Sequence, residues 1–536
     1  MSEAKKFNFI GQRTIRPDGH DKVTGKANYA ADLALPGMIW GKILRSPHAH
    51  AKILKLDTSK AEAMSGVMSV ATFDDLPSVS NEAIQSGEGA IDSLDLGRNV
   101  LARDKVLYHG HAIAAIAAKT EAIAEKALEL IDVEYEVLTP VLDLHAAMKA
   151  DAPLLHEDMF TQGYPEQPEK PSNIAARHEL KMGDVEAGFA EADVIVERDF
   201  VTPTVHQGYI EPHACTVSYN TEGQSMVWCS TQGHFDVRAS TAKLLAMPLG
   251  NLKVIASEIG GGFGGKTTVY LEPIALILSR KSGRPVKMMM DRDEVFRASG
   301  PASAARLTVK VGGKKDGTIT AMQTSIAYEA GAFKGSPAMI GGMTAFTPYN
   351  CPNVYCETFD VVVNKPKVAA YRAPGAPQAE FGAEMAVSEL AEKLGIDPVD
   401  LRLQNAAKEG TQTVYGPKLK AVGLVECLEA AKNSPHYKTE LKEGEGRGIA
   451  SGFWFNIGGQ SSVTINMNPD GTGTIVEGSP DIGGSRASMQ MMAAEELGIP
   501  LNDLKPIIGD TESIPYNQST GGSRTTFATG MAVIEA

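Results

Sequence analysis

The residues best placed to do chemistry in this 536-residue chain lie at 260–267: five glycines and Phe263 in six positions, then Lys266 and Thr267. The surrounding sequence, NLKVIASEIGGGFGGKTTVYLEPIALILSRKSG, predicts a strand over 252–259, a glycine turn and a helix over 267–281. Glycine lets a backbone approach a ligand without a Cβ in the way. Peptide N–H groups at such a turn, next to a helix N-terminus, form an anion site. One chemistry that fits is nucleotide binding. Positions 260–267 match GxxxxGK(S/T), and VKMMMD (286–291) ends an apolar run on Asp291, as a Walker B strand does. Three features weigh against it. Asp291 comes too soon after the helix, Phe263 would sit at the phosphates, and the glycines are denser than that loop requires. Without a ligand, the same run is a packing turn.

The elements that must position this loop read as mixed α/β. MIWGKILRS (38–46), HAIAAIAA (111–118), DVIVERDFVTP (193–203) and HACTVSYN (213–220) have strand patterns. Segments 120–133, 237–247 and 379–395 have helical spacing, the first opened by a Thr cap. NPDG marks a hairpin turn, and MMAAEELG a helix end closed by glycine. The Pro-rich stretch 156–173 reads as a linker. The expected divisions are 1–155, 174–410 and 411–536.

Composition narrows the function. Apolar residues make up 43% and charged residues 22%, as in globular chains. Acids outnumber bases 65 to 51, a balance that disfavours nucleic acid and anionic membrane surfaces as partners. No stretch approaches the ~20 apolar residues of a membrane span, and the N-terminus lacks a secretory pattern, so a cytoplasmic location is expected. The five cysteines, Cys215, Cys229, Cys351, Cys356 and Cys427, form no CxxC pair, so they are expected to be buried thiols and not ligands of a cluster or zinc.

Several ordered segments together resemble the large subunit of the xanthine dehydrogenase and aldehyde oxidase family of molybdenum hydroxylases. They are RPDGHDKVTGKANYAADLALPGMIWGKILRSPHAHAKI (16–53), TQGHFDVRASTAKLL, SEIGGGFGGK, NKPKVAAYRAPGAPQAEFGAEMAVSELAEKLGIDPVDLRLQN (364–405), DIGGSRASM and STGGSRTTFATGMAV. The resemblance implies an N-terminal hammerhead α/β domain, a first molybdopterin-binding region and a second one that is incomplete. It implies molybdenum held by molybdopterin, expected as the cytosine dinucleotide, with side chains around the metal and not on it. Gln232, Phe263, Arg372 and Gly522 would surround molybdenum. Gly261, Gly262, Gly264 and Gly265 would let the loop approach the cofactor; Gly483, Gly484 and Ser485 would lie over the pterin, and Gly521, Gly522 and Ser523 near metal and pterin. If the glycine loop acts through its backbone, Lys266→Ala is expected to spare cofactor retention. Gln232→Ala is expected to lower turnover more than molybdenum content.

The same resemblance implies oxidation of an aldehyde or an N-heterocycle with oxygen from water, or reductive use as in hydroxybenzoyl-CoA reductases. Electrons would pass to [2Fe–2S] and FAD centres on separate small and medium subunits, in a hetero-oligomer such as a dimer of heterotrimers. The family's general-base glutamate lies in a loop beyond STGGSRTTFATGMAV. No residue of this chain matches it, so no catalytic residue is assigned and the chain is expected to be incomplete as a catalyst. Xanthine-oxidising members carry Glu and Arg where this chain has Thr267 and Pro301, an aromatic where it has Pro374, and often Gln where it has Gly484. Carbon monoxide dehydrogenases carry a cysteine in the loop read here as APGAPQ. Xanthine and carbon monoxide are therefore disfavoured as substrates.

Overall fold

The computed structural model describes residues 6–86, 89–455 and 457–536. The strand Ala112–Ala118 is AIAAIAA and buried throughout, so it has no solvent face and must lie inside a sheet. It pairs with Ile39–Arg45 on one side and Val67–Thr72 on the other. Ile39–Arg45 then runs parallel to Val286–Met289, and the sheet continues through Ala214–Ser218 and Ser225–Cys229 to Leu252–Ala256. One seven-stranded sheet thus joins strands from both sides of the stretch 156–173. The apolar helix Glu272–Ser282 packs on it.

A second sheet of five strands, in the order Val194–Thr202, Ala305–Gly313, Ile319–Gly331, Val354–Val362 and Ile174–Met182, is covered by the helix Ala376–Leu394. That helix opens at Gly375 and closes on the left-handed Gly395. Towards the C-terminus, Val463–Met467 and Gly473–Glu477 form a hairpin around the NPDG turn, and Leu504–Ile508 adds in parallel under the helix Ser485–Leu497. The arrangement is mixed α/β with the hammerhead segment first.

An ion-pair chain ties the N-terminal segment to both later regions. Arg16 pairs with Asp18 at 2.6 Å, Lys22 with Glu258 at 2.8 Å, and Arg486 with Glu258 at 2.7 Å. No helix among the described residues is long and apolar enough to cross a membrane. Cys215, Cys229, Cys351 and Cys356 are buried, whereas Cys427 is exposed.

Two expectations about the glycine segment change. The helix begins at Glu272, not at 267, because Glu272 folds its carboxylate back onto the N–H groups of Tyr270 and Leu271, both at 3.2 Å. Val286–Met289 is a strand, but Asp291 is the N-cap of the helix Arg292–Ala298 and accepts from Glu294 N at 2.7 Å. A carboxylate engaged as a cap is not placed as a Walker B acid.

Candidate active site

Four loops meet around Gln232, which is 2% exposed. Its Oε1 accepts from Gly264 N at 2.8 Å and Lys266 N at 3.2 Å. Its Nε2 donates to Thr520 O at 2.7 Å, while Thr520 N donates back to Gln232 O at 2.8 Å. The side chain therefore bolts the glycine loop to the loop 519–523. Thr520 Oγ1 extends the chain by donating to Pro480 O at 2.8 Å, next to the DIGGSR turn. On the other side, Arg372 N donates to Phe263 O at 2.9 Å. One of the two amide hydrogens of Gln232 is committed to Thr520, which leaves the second for a ligand.

The glycines are required by contact. A Cβ at Gly262 would stand 2.5 Å from Gln232 Oε1, and one at Gly264 would stand 2.4 Å from Ala370 O. Gly265 packs against Tyr209 in the same way, and Gly261 takes a positive φ of 96°. Among the described residues only Ala246, Phe263, Arg372, Ala373 and Ser523 are non-glycines at positive φ. Four of these five lie in the converging loops. Such conformations cost on the order of 1–3 kcal/mol each and persist where surrounding structure, often a binding site, imposes them.

Lys266 is not free for a phosphate. Its Nζ pairs with Glu211 Oε2 at 2.7 Å and lies 4.9 Å from the centroid of the Tyr209 ring, with none of its side chain exposed. Glu211 Oε2 also accepts from Gly260 N at 2.8 Å, so the pair clamps the loop at both ends. The nucleotide reading fails on this geometry. The expectation that Lys266→Ala spares cofactor retention is revised, because the lysine is a buried ion-pair partner of Glu211 and not a bystander.

Arg372 is exposed, and no protein partner of its guanidinium occurs among the described residues. Lys266, Arg486 and Arg524, the cations of the neighbouring loops, are by contrast engaged by protein partners. The DIGGSR turn differs: Asp481 accepts from Gly484 N at 2.6 Å, Ser485 N at 2.9 Å and Arg486 N at 3.2 Å. The protein's own carboxylate thus occupies the N-terminus of the helix Ser485–Leu497. Gly483 remains open, Gly484 lies beside Arg16, and Ser485 Oγ is buried without a partner. In the last loop Gly522 and Ser523 both have positive φ, Ser523 is exposed, and Gly521 O accepts from Arg524 N at 3.2 Å. The buried guanidinium of Arg524 holds this loop through Gly458 O at 3.0 Å, Gln460 O at 2.7 Å and Gln518 O at 2.9 Å. Burial lowers its pKa.

Sequence reasoning missed Glu211, Asp481 and Arg524. Asp481 carried a signal, an acid just before a helix start. Glu211, 55 residues from its partner, carried none.

Because Gln232 holds two loops, Gln232→Ala leaves two buried N–H groups and a carbonyl unpaired, at about 1–3 kcal/mol each. Molybdenum content and turnover are expected to fall together, a revision of the expectation from sequence. Metal content at wild-type level with turnover lost would refute this positional role.

Glu477 sits near the DIGGSR turn with both carboxyl oxygens buried and unpartnered. Burial, with Asp481 adding to it, pushes its carboxyl up to about 8. A raised carboxyl stabilises the fold fully below its unfolded pKa, and that contribution is lost as pH rises to about 8. Glu477→Gln is expected to flatten this loss and to be more stable than wild type near pH 8 by a few kcal/mol, roughly 2–4. Denaturation midpoints that fall equally with pH in both proteins would exclude it.

Comparison with known proteins agrees with this architecture. Residues 24–139 match the aldehyde oxidase and xanthine dehydrogenase a/b hammerhead domain, and residues 166–406 and 424–536 match molybdopterin cofactor-binding domains. A probable xanthine dehydrogenase subunit of Bacillus subtilis is 32% identical over 526 residues, 96% of this chain and 68% of that protein. The nicotinate dehydrogenase large molybdopterin subunit of Eubacterium barkeri is 34% identical over 433 residues, 80% of this chain and 96% of that one. The aldehyde oxidoreductase of Desulfovibrio gigas superposes with a TM-score of 0.85 at 27% identity, covering 97% of this chain. This chain spans 59% of that enzyme's length. Quinoline 2-oxidoreductase of Pseudomonas putida 86 gives a TM-score of 0.85 at 25% identity over 98% of this chain and 70% of that one. With the hammerhead segment, the loops around Gln232 and these relatives in agreement, the chain belongs to the xanthine dehydrogenase and aldehyde oxidase family of molybdenum-binding large subunits.

Proposed function

We propose that this chain holds a molybdenum–molybdopterin cofactor between the regions 174–410 and 411–536 and uses it to oxidise an aldehyde or an N-heterocycle. The observation that carries this is the bonding of the glycine loop to the loop 519–523 through Gln232, with strained backbone at Phe263, Arg372, Ala373 and Ser523. The group, when bound, supplies two-electron redox chemistry and delivers oxygen derived from water. The chain supplies the rest. Cβ atoms at Gly262, Gly264 and Gly265 would strike Gln232, Ala370 and Tyr209, so these glycines set the close approach of the loops that would hold the group. The second amide hydrogen of Gln232 serves an oxygen ligand without adding charge. The guanidinium of Arg372 suits oxyanions or phosphate.

The cytosine dinucleotide form, [2Fe–2S] and FAD partner subunits, a hetero-oligomer such as a dimer of heterotrimers, and a cytoplasmic location belong to the same proposal. Relatives described as large chains or subunits of complexes support the partner assignment. Metal and pterin analysis of the purified chain tests it. Molybdenum and pterin in near-equal amounts to protein are expected; magnesium-dependent ATP binding in their place would overturn it.

Xanthine is expected to be a poor substrate. Thr267 Oγ1 donates to Gly264 O at 2.9 Å and offers no carboxylate, and Pro301 offers no cation. Each buried purine polar atom left unpaired costs about 1–3 kcal/mol. A kcat/KM for xanthine matching that for the best aldehyde would sink this reading.

A further inference from the structure

A cavity of about 160 Å³ opens beside the glycine loop, between Thr267, Thr268, Ser336, Ile340, Lys367 and Pro374. It adjoins the proposed metal position, since Thr267 bonds Gly264 and Pro374 follows Arg372 by two residues. Its walls are mainly apolar, which suits a planar ring. Three polar groups stand out. Thr268 Oγ1 and Ser336 Oγ are buried with no protein partner. Lys367 is the one charged side chain among the described residues lining the cavity. Its Nζ donates to Gly335 O at 2.7 Å and Val368 O at 3.3 Å. Both partners are neutral carbonyls, and an ammonium has a third hydrogen to give. Burial lowers its pKa to about 8, with Asp360 and Asp95 acting in the opposite direction, so the group is mostly charged at neutral pH. Asp360 is itself engaged by Gly335 N at 2.7 Å and Ser336 N at 2.9 Å, so it shapes the turn that holds the lysine.

We infer that this cavity selects a small single-ring substrate carrying a carboxylate, anchored by Lys367. A cationic ligand would be repelled, and a neutral one would leave the ammonium without an anionic partner. The volume lies well below the roughly 300–1,000 Å³ of pockets for drug-sized molecules, which favours one ring over a fused pair. Lys367 is thus a specificity-determining residue. The inference rests on the proposed function for the orientation of the ring, and not for the anion site itself.

The test uses the purified complex containing the full chain, with pyridine-3-carboxylate and pyridine-3-carboxamide as probes in calorimetric titrations and, separately, as substrates. The wild type is expected to bind the carboxylate at least roughly tenfold more tightly than the carboxamide, as befits a charge-assisted contact. Lys367→Met, close to isosteric, is expected to remove that preference by weakening the carboxylate alone. Equal binding of the two probes by wild type overturns the inference, whether or not the variant folds. Equal weakening of both probes in Lys367→Met also overturns it. Preferential carboxylate binding with no oxidation of either probe or of any aldehyde by molybdenum-loaded enzyme upholds the anchor and removes the proposed function. Turnover of a neutral aldehyde without carboxylate preference does the reverse.

Discussion

Lys266→Ala is expected to collapse the glycine loop and empty the site. The lysine side chain has no exposed surface, and its partner Glu211 is only 11% exposed. Removing the ammonium leaves a buried carboxylate with Gly260 N as its remaining donor. Breaking a buried pair by deleting one partner costs about 3–5 kcal/mol, because the survivor stays desolvated and uncompensated. The loss falls on the loop proposed to lie against the cofactor, so molybdenum content is expected to drop with the denaturation midpoint. Lys266→Met combined with Glu211→Gln removes both charges and is expected to recover most of the stability. Denaturation curves and metal analysis on the three proteins decide it. A single variant within about 0.5 kcal/mol of wild type, the usual range for a surface change, would show that the pair does not hold the loop.

The second large effect is expected from Gly264→Ala. The residue has φ of 107°, where an alanine is strained, and the added Cβ would lie 2.4 Å from Ala370 O. Strain of about 1–3 kcal/mol adds to a similar cost for forcing atoms into a packed site. Relief requires the segment 370–372 to move away, which breaks the bond from Arg372 N to Phe263 O and displaces the guanidinium. The fold, held by sheets distant from this contact, is expected to survive. Near-complete loss of bound molybdenum in a folded protein is therefore the expected result, read by metal analysis beside circular dichroism. Full metal occupancy with normal turnover would show that the approach of the two loops is not needed. Gly283→Ala is the matched control: it too has a positive φ, but its Cβ would meet nothing within 4 Å.

Local pattern was a good guide wherever one segment settles its own structure. The all-apolar AIAAIAA had to be an inner strand, and the NPDG turn had to close a hairpin, because backbone geometry and solvent exclusion act within a few residues. The glycine loop was recognised for the same reason, since five glycines in six positions serve close backbone approach. The ion pair of Lys266 was not legible because the register of GxxxxGKT says nothing of Glu211, which comes from a different segment and meets it only after folding. The helix start was misplaced by five residues because Glu272 satisfies the N–H groups ahead of it, a contact that spacing does not display.

What the sequence determined by itself was the family and the mixed α/β class, since ordered motifs and hydrophobic periodicity are local properties. What only the tertiary structure decided was which loops touch. It made Gln232 a bolt between 264–266 and 520, gave the helix N-terminus at Ser485 to Asp481, and brought Lys367, Ser336 and Thr268 to one cavity. Those outcomes depend on how two sheets and their covering helices bring distant segments within hydrogen-bond range, which is a property of the packed chain and not of any stretch within it.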